Sequence, residues 1–232
     1  MRARRISEVL KITAESPRRF DLHVHSDCSD GHDDVKTILK QAVKRRLNGI
    51  AITDHDTMKG FIAAGKVIKD LKLEIILIPG AEVTTSEGHL LTLGVSDLPP
   101  KGLSPEETTD IANDFGGIAV VPHPFHPFRH AIGRIPKCDA VEVYNSKHLF
   151  GIANARAYSS ARKKGLPMVA GSDSHFAKTV GLGVTEIYTE NGDDTIQAIK
   201  SGRTRIDGRR TPPQFFIGNT FRSIYQEMRK VI

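Results

Sequence analysis

Short apolar runs alternate with segments of helical pattern along most of the chain. The runs are rich in valine, isoleucine and leucine with little polar alternation, which is typical of strands buried on both faces. They lie at 21–25, 49–53, 74–79, 89–95, 117–122, 140–143, 167–170 and 183–189. The helical segments between them lie at 35–46, 59–72, 104–115, 154–164 and 193–201. Strands and helices that alternate at this pitch predict a mostly parallel α/β sheet closed into a barrel.

The two ends of the chain depart from this alternation. Residues 1–19 are basic and carry apolar residues at roughly helical spacing, which predicts a short amphipathic helix or arm docked on the body. The alternating body is assigned to residues 20–190, and residues 191–232 are expected to complete the barrel and to end in an amphipathic helix. A length of 232 residues suits a single α/β domain.

Polar side chains follow one apolar run after another. In a strand, residues two apart point to the same side, so His23 and His25 can bind one cation, and Asp30 follows on a turn. The later positions are His55, Glu82, His123, Asp173 and His175, each after a run, and His89 at the start of one. Because the active site of an α/β barrel assembles at the C-terminal ends of its strands, these side chains are expected to converge. Clustered nitrogen and oxygen ligands indicate two or three divalent cations.

Charge and cysteine content narrow the class of protein further. The chain has 33 Lys and Arg against 27 Asp and Glu, a formal net charge of +6. If several of the acids bind metal, the outer surface is more basic still, which favours a phosphate-bearing ligand. Two cysteines cannot build a disulfide framework, and no apolar run approaches a membrane span. We therefore expect a soluble, cytoplasmic protein with no membrane partner, and its oligomeric state is not predicted.

Seven short segments resemble motifs of the PHP family, the polymerase and histidinol phosphatase superfamily. They are DLHVHSDCSDG at 21–31, ITDHDT at 52–57, GAEVTT at 80–85, GHLLTLG at 88–94, VPHP at 121–124, VEVYN at 141–145 and GSDSH at 171–175. The resemblance implies a distorted (β/α)7 TIM-like barrel. Position by position, it also implies a set of metal ligands: His23, His25, Asp30, His55, Glu82, His89, His123, Asp173 and His175. Carboxylates mixed with imidazoles suit Mn²⁺, Zn²⁺ or Fe²⁺ better than Mg²⁺ or Ca²⁺.

The expected reaction is the hydrolysis of a small phosphomonoester. A water that bridges two divalent cations loses its proton near neutral pH, and the hydroxide attacks phosphorus in line. Glu82 is expected to bridge two ions, and Asp173 is expected to be essential to the same centre. Protonation of the leaving oxygen by His55 or His175 is a hypothesis.

Candidate substrate contacts lie in the loop 125–134, which follows His123. His126, Arg129 and Arg134 in this loop are expected to contact phosphate oxygens, and Lys178 is a weaker candidate near the seventh motif. Lys147 and His148 are candidates of the same kind. Four further polar residues are expected to orient the ligand histidines: Asp54, Asp56, Glu142 and Asn145.

Other functions stay open at this point. A nuclease of the same fold, a phosphodiesterase or 5′-3′ exonuclease acting on nucleic-acid ends, is favoured by arginines near both termini. Only 33 residues separate His89 from His123, so the pocket should lack a cap domain and be open, which also suits a polymer. A non-enzymatic binding module is disfavoured by the complete ligand set. An amidohydrolase is disfavoured because no lysine is placed as its usual bridging ligand.

Overall fold

The computed structural model describes residues 16–127, 131–189 and 194–215. These residues form ten strands and five α-helices. The strands are β1 (Arg18–Val24), β2 (Gly49–Ile52), β3 (Ile76–Ile78), β4 (Gly80–Thr84), β5 (His89–Leu93), β6 (Ile118–Val121), β7 (Ala140–Asn145), β8 (Met168–Gly171), β9 (Gly183–Ile187) and β10 (Thr204–Gly208). The helices are α1 (Val35–Lys44), α2 (Lys59–Leu71), α3 (Pro105–Asp114), α4 (Ile152–Lys164) and α5 (Thr195–Lys200).

The strands are arranged in two mixed sheets of five strands each. Their orders are β10-β9-β1-β2-β3 and β4-β5-β6-β7-β8. The pairs β1–β2, β2–β3, β6–β7 and β7–β8 are parallel, whereas β1–β9, β9–β10, β4–β5 and β5–β6 are antiparallel. The α/β class is therefore confirmed, but the expectation of a mostly parallel sheet is wrong. No closed barrel is seen among the described residues.

Two isolated bridges connect the sheets near the C-terminal ends of β1 and β2. Val24 at the end of β1 pairs with Ser174, and His55 after β2 pairs with Glu82 of β4. Apolar side chains from both sheets fill the space between them, including Phe20 and Leu91, which are almost fully buried. The sheets are thus held together where the polar motifs lie.

The apolar run at 74–79 and the polar segment after it form two strands in different sheets. β3 pairs with β2, whereas β4 pairs with β5. Pro79 lies between them and has no backbone N–H, so it cannot continue the ladder of β3. Glu82, expected in a loop, therefore lies within a strand, and the antiparallel hairpin places Thr84 opposite His89. This explains how a residue at the start of a run reaches the same end of the sheet as Glu82.

The five predicted helices are confirmed; four are shorter than predicted, and α4 begins two residues earlier than predicted. Local sequence explains where they begin. The hydroxyl of Ser104 accepts a hydrogen bond from the backbone N–H of Glu107 at 3.2 Å, and the Glu107 carboxylate accepts one from the Ser104 backbone at 2.9 Å. With Pro105 at the first position, this capping box starts α3. Asp34 caps α1 in the same way.

The ends of the chain are described only in part. Most of the predicted N-terminal arm and the predicted final helix lie outside the described residues, and Arg18 and Arg19 belong to β1 rather than to an arm. β10 was not predicted as a strand; it pairs with β9 and so extends the first sheet. None of the helices in the described part combines the length and the apolar character that crossing a bilayer requires.

We expect opposite effects on stability when alanine replaces two glycines. A Cβ at Gly183 would overlap the carbonyl group of Gly171, so Gly183→Ala should lower the free energy of unfolding by about 2 kcal/mol or more. At Gly65, inside α2, a Cβ meets open space, and Gly65→Ala should raise that free energy by about 0.5–1 kcal/mol. Urea unfolding of both variants measures the difference. A Gly183→Ala protein as stable as wild type would contradict the packing described for β9.

Candidate metal centre

Nine side chains converge where the C-terminal ends of β1, β2 and β8 meet the β4–β5 hairpin. Their donor atoms form overlapping groups in which all atoms lie within 4.8 Å of one another. The groups are His25, Asp30, His55 and His175; His23, Glu82 and His123; His23, His25 and Asp173; and His55, Glu82 and His89. These are the nine residues predicted as metal ligands. The structure brings them together, and their role as ligands is a proposal developed below.

Glu82 is buried at the centre of this cluster, surrounded by five imidazole rings. Its Oε2 lies 3.2–3.5 Å from one nitrogen of each of three rings, and its Oε1 lies 3.1 and 3.3 Å from nitrogens of two others. The rings around Oε2 are those of His23, His25 and His55, and those around Oε1 are His89 and His123. Burial raises the pKa of Glu82, but the charges of His23 and His55 and hydrogen bonds with His123 and His23 hold that pKa well below its usual range. The carboxylate is therefore ionised.

The donor set fits divalent cations. The Nδ1 atom of His23 lies 3.0 Å from a Glu142 oxygen, so a ring proton on Nδ1 would leave the Nε2 lone pair for a metal ion. That Nε2 lies 3.1 Å from Nε2 of His25 and 3.3 Å from Oε2 of Glu82. A cation bound between these nitrogen and oxygen atoms would offset the repulsion between their lone pairs. In addition, the buried Nδ1 atoms of His25 and His123 have no hydrogen-bond partner among the described residues.

Glu142 and Asn145, at the end of β7, orient this half of the cluster. One Glu142 oxygen faces the His23 ring, and the other accepts the backbone N–H of His123 at 2.9 Å. Asn145 donates to Glu142 at 2.9 Å and to Asp173 at 3.1 Å. Glu142 thus contacts histidines, as the sequence predicted, whereas the Asn145 side chain contacts Asp173 and Glu142.

Asp54 and Asp56 position loops, not imidazole rings. Asp54 accepts hydrogen bonds from the backbone and hydroxyl of Ser26 and from the hydroxyl of Ser29, just before Asp30. Asp56 accepts hydrogen bonds from the backbone and hydroxyl of Thr84 in β4. Their expected contacts with ligand histidines are not among the hydrogen bonds of the described residues.

The other half of the cluster contains a neutral histidine. Burial and the charges of Lys147 and His25 lower the pKa of His175 to about 3, so its imidazole is uncharged at neutral pH. Its Nε2 lies 2.9 Å from Asp30. Burial raises the pKa of Asp30, but the hydrogen bond with His175 and the charge of His25 lower it below its usual range. A neutral imidazole beside an ionised carboxylate is the state in which both bind metal.

Two of the nine residues are among the five described non-glycine residues with positive φ angles. His123 has a φ angle of 30° and Asp173 one of 50°, both in the left-handed region. Such a conformation costs on the order of 1–3 kcal/mol for a residue other than glycine and persists only where its surroundings hold it. Here the backbone N–H of His123 donates a hydrogen bond to Glu142, and the Asn145 side chain donates one to the Asp173 carboxylate. Strain of this kind is characteristic of functional sites.

The residues predicted to contact the substrate are not gathered in one cluster as the nine are. Arg134 forms ion pairs with Glu87 at 2.7 Å and Glu106 at 2.8 Å, so a contact with substrate would require these pairs to break. The His126 ring packs on His148 with centroids 4.9 Å apart. Lys178 is exposed in a short 3₁₀ helix, and Arg129 lies outside the described residues. Lys147, a minor candidate in the sequence, directly contacts two of the nine.

Comparison with known proteins identifies the family. A family model for the PHP domain matches residues 21–114, and a PHP-associated model matches residues 151–204. The chain is also 37% identical to an uncharacterized protein of Methanocaldococcus jannaschii over 166 residues, which are 66% of this chain and 95% of that protein. The chain belongs to the PHP family. The resemblance carried by the seven motifs is therefore confirmed.

Two other PHP-related proteins show what the family includes. A 5′-3′ exoribonuclease of Salmonella typhimurium, Rnm, is 39% identical over 80 residues, which cover 33% of this chain but only 27% of the enzyme. A two-domain protein of Bacteroides vulgatus, described by name as containing a PHP-like metal-dependent phosphoesterase, superposes with a TM-score of 0.69 at 21% identity over 84% of this chain and 65% of that one. At this identity the second likeness concerns the fold.

We expect Glu142→Gln to weaken metal binding without removing any of the nine side chains. The substitution replaces the charged partner of the His23 ring, and loss of such a partner costs about tenfold to a hundredfold in metal affinity. Calorimetric titration of metal-stripped protein with Mn²⁺ measures the effect. Glu74→Gln, an exposed residue just before β3, is the matched control. Equal Mn²⁺ affinity in Glu142→Gln and wild type would contradict the orienting role of Glu142.

Proposed function

We propose that this PHP protein hydrolyses a phosphomonoester at a centre of two or three divalent metal ions. The observation that carries the proposal is the position of Glu82. Its two carboxylate oxygens face two different groups of imidazole rings, one including His25 and the other including His89. A carboxylate in that position can give one oxygen to each of two ions.

The nine clustered residues would hold the ions. The four groups described above share His23, His25, His55 and Glu82, so they do not correspond to four separate ions. Each histidine nitrogen can bind one ion, whereas the Glu82 carboxylate can bind two. Mixed imidazole and carboxylate donors favour Mn²⁺, Zn²⁺ or Fe²⁺. When bound, such ions supply an activated water near neutral pH and neutralise charge on the phosphoryl oxygens.

His55 is the better of the two predicted candidates for protonating the leaving oxygen. Its side chain is 27% exposed, compared with 9% for His175. The low pKa of His175 makes that ring a poor proton donor and a good ligand. Burial also lowers the pKa of His55, against the charge of Glu82, so both rings are suited to metal binding in the state described. We therefore assign a proton-transfer role to His55 only if it leaves its ion during turnover.

A 5′-3′ exonuclease is the second candidate function. Its support is the similarity to the Salmonella exoribonuclease over 80 residues, although the chain spans about a quarter of that enzyme. Exposed arginines near β10, such as Arg205 with 74% of its side chain exposed, provide positive charge for a nucleic-acid backbone. Binding of a polymer through such contacts should weaken steeply as salt rises from low to physiological concentration, whereas turnover of a monoester should not.

Hydrolysis of aryl phosphates tests the proposal and separates the two candidates. Metal-stripped protein receives Mn²⁺, Zn²⁺, Fe²⁺ or Mg²⁺, one at a time, with a monoester or a diester as substrate. We expect turnover of the monoester that depends on the added metal. Turnover of the diester alone would favour the nuclease, and no turnover with any metal would contradict both enzymatic proposals.

We expect Glu82→Gln to abolish most of this activity. Loss of the charged carboxylate between the two groups of rings should lower kcat/KM at least about a hundredfold, since the ions supply several kcal/mol of transition-state stabilisation. Glu74→Gln, at an exposed position just before β3, controls for the loss of a negative charge and should remain near wild type. Full activity in Glu82→Gln would overturn the assignment of this centre.

A further inference from the structure

The ammonium group of Lys147 lies within the candidate metal centre. Its Nζ atom is 2.9 Å from Nδ1 and 3.2 Å from Nε2 of His175, and 3.4 Å from Oδ1 of Asp173. Only 11% of the lysine side chain is exposed. Lysines are almost never buried without a partner, and the partners here are two of the nine converging side chains.

The backbone at Lys147 is fixed, whereas its side chain is long and flexible. The Lys147 N–H donates to the side chain of Asn145 at 3.0 Å. Ser146 connects the same segment to the turn that carries Asp173. Its N–H donates to the backbone carbonyl of Gly171 at 3.1 Å, and its hydroxyl donates to the backbone carbonyl of Ser172 at 2.8 Å. The fold therefore holds the base of this lysine at the edge of the centre. Its four-carbon stem allows the ammonium to move by several ångströms.

A metal ion in the group that contains Asp173, or in the group that contains His175, is incompatible with the ammonium in this position. Either ion would lie beside an atom that Nζ contacts, Oδ1 of Asp173 or a ring nitrogen of His175. Two cations at such a distance in a partly buried site repel each other strongly. Ion binding must therefore displace the ammonium, and a stable new position needs an anion within reach of the stem. A phosphoryl group bound at the ions is such an anion, with oxygens that accept charge-assisted hydrogen bonds.

We propose that Lys147 binds the non-bridging oxygens of the substrate's phosphoryl group when the metal ions are in place. In the structure its ammonium contacts Asp173 and His175, where a cation held by either residue would lie. This inference rests on the proposed function, since it assigns a specific group of the substrate to a specific residue. It makes Lys147 the main protein contact of the phosphate.

Binding measurements on Lys147→Met test both halves of the inference without depending on turnover. Methionine keeps most of the stem and removes the charge. Calorimetry with phenylphosphonate, which has phosphoryl-like oxygens and no ester bond to cleave, should show at least about tenfold weaker binding to the Mn²⁺-loaded variant. Calorimetry with Mn²⁺ should show tighter binding to the metal-free variant, because a competing cation is gone.

Two other variants make the result interpretable. Lys147→Arg keeps the charge and should retain most of the phenylphosphonate affinity, and Lys163→Met, at the far end of α4, should match wild type in both titrations. Equal phenylphosphonate affinity in Lys147→Met and wild type would overturn the inference, and so would failure of Mn²⁺-loaded wild type to bind phenylphosphonate. Unchanged Mn²⁺ affinity would overturn the placement of the ammonium at a cation position. Failure of the proposed function is seen separately, as absence of ester hydrolysis by a wild-type protein that binds phenylphosphonate.

Discussion

The rest of this structure depends on the compensation of one buried negative charge. The carboxylate of Glu82 has only 2% of its side chain exposed, and taking an ionised carboxylate out of water costs several kcal/mol unless nearby charge compensates for it. Five imidazole rings surround it. Imidazoles compensate a carboxylate by carrying protons or by sharing a cation with it. The second arrangement also satisfies the ring nitrogens that have no hydrogen-bond partner, which is why the cluster is best understood as a metal centre.

The fold serves this cluster by joining two sheets around it. The change of sheet at Pro79 places Glu82 on a strand whose antiparallel partner carries His89, while the bridge from His55 to Glu82 links that strand to the first sheet. From the opposite side, Glu142 and Asn145 fix the rings and the strained backbone at His123 and Asp173. Stability and function are coupled here, because the groups that hold the sheets together are neighbours of the groups that would bind the ions.

The sequence predicted the cluster better than it predicted the sheets. Histidines and acids that follow apolar runs are visible in the sequence, and strand ends at one edge bring them together. The division into two mixed sheets depends on strand direction, which an apolar run does not encode. The run at 74–79 also does not show that Pro79 separates two strands of different sheets. The contact of Lys147 with His175 depends on the conformation of a flexible side chain after β7. Its position after Asn145, at a strand end among the motifs, was the available signal.

Anomalous diffraction from crystals of the metal-stripped protein soaked in Mn²⁺ tests the central claim most directly. The account predicts at least two anomalous peaks among the nine side chains, with Oε1 and Oε2 of Glu82 within coordination distance of different ions. No peak in the cluster, or a single peak that does not contact Glu82, would contradict it.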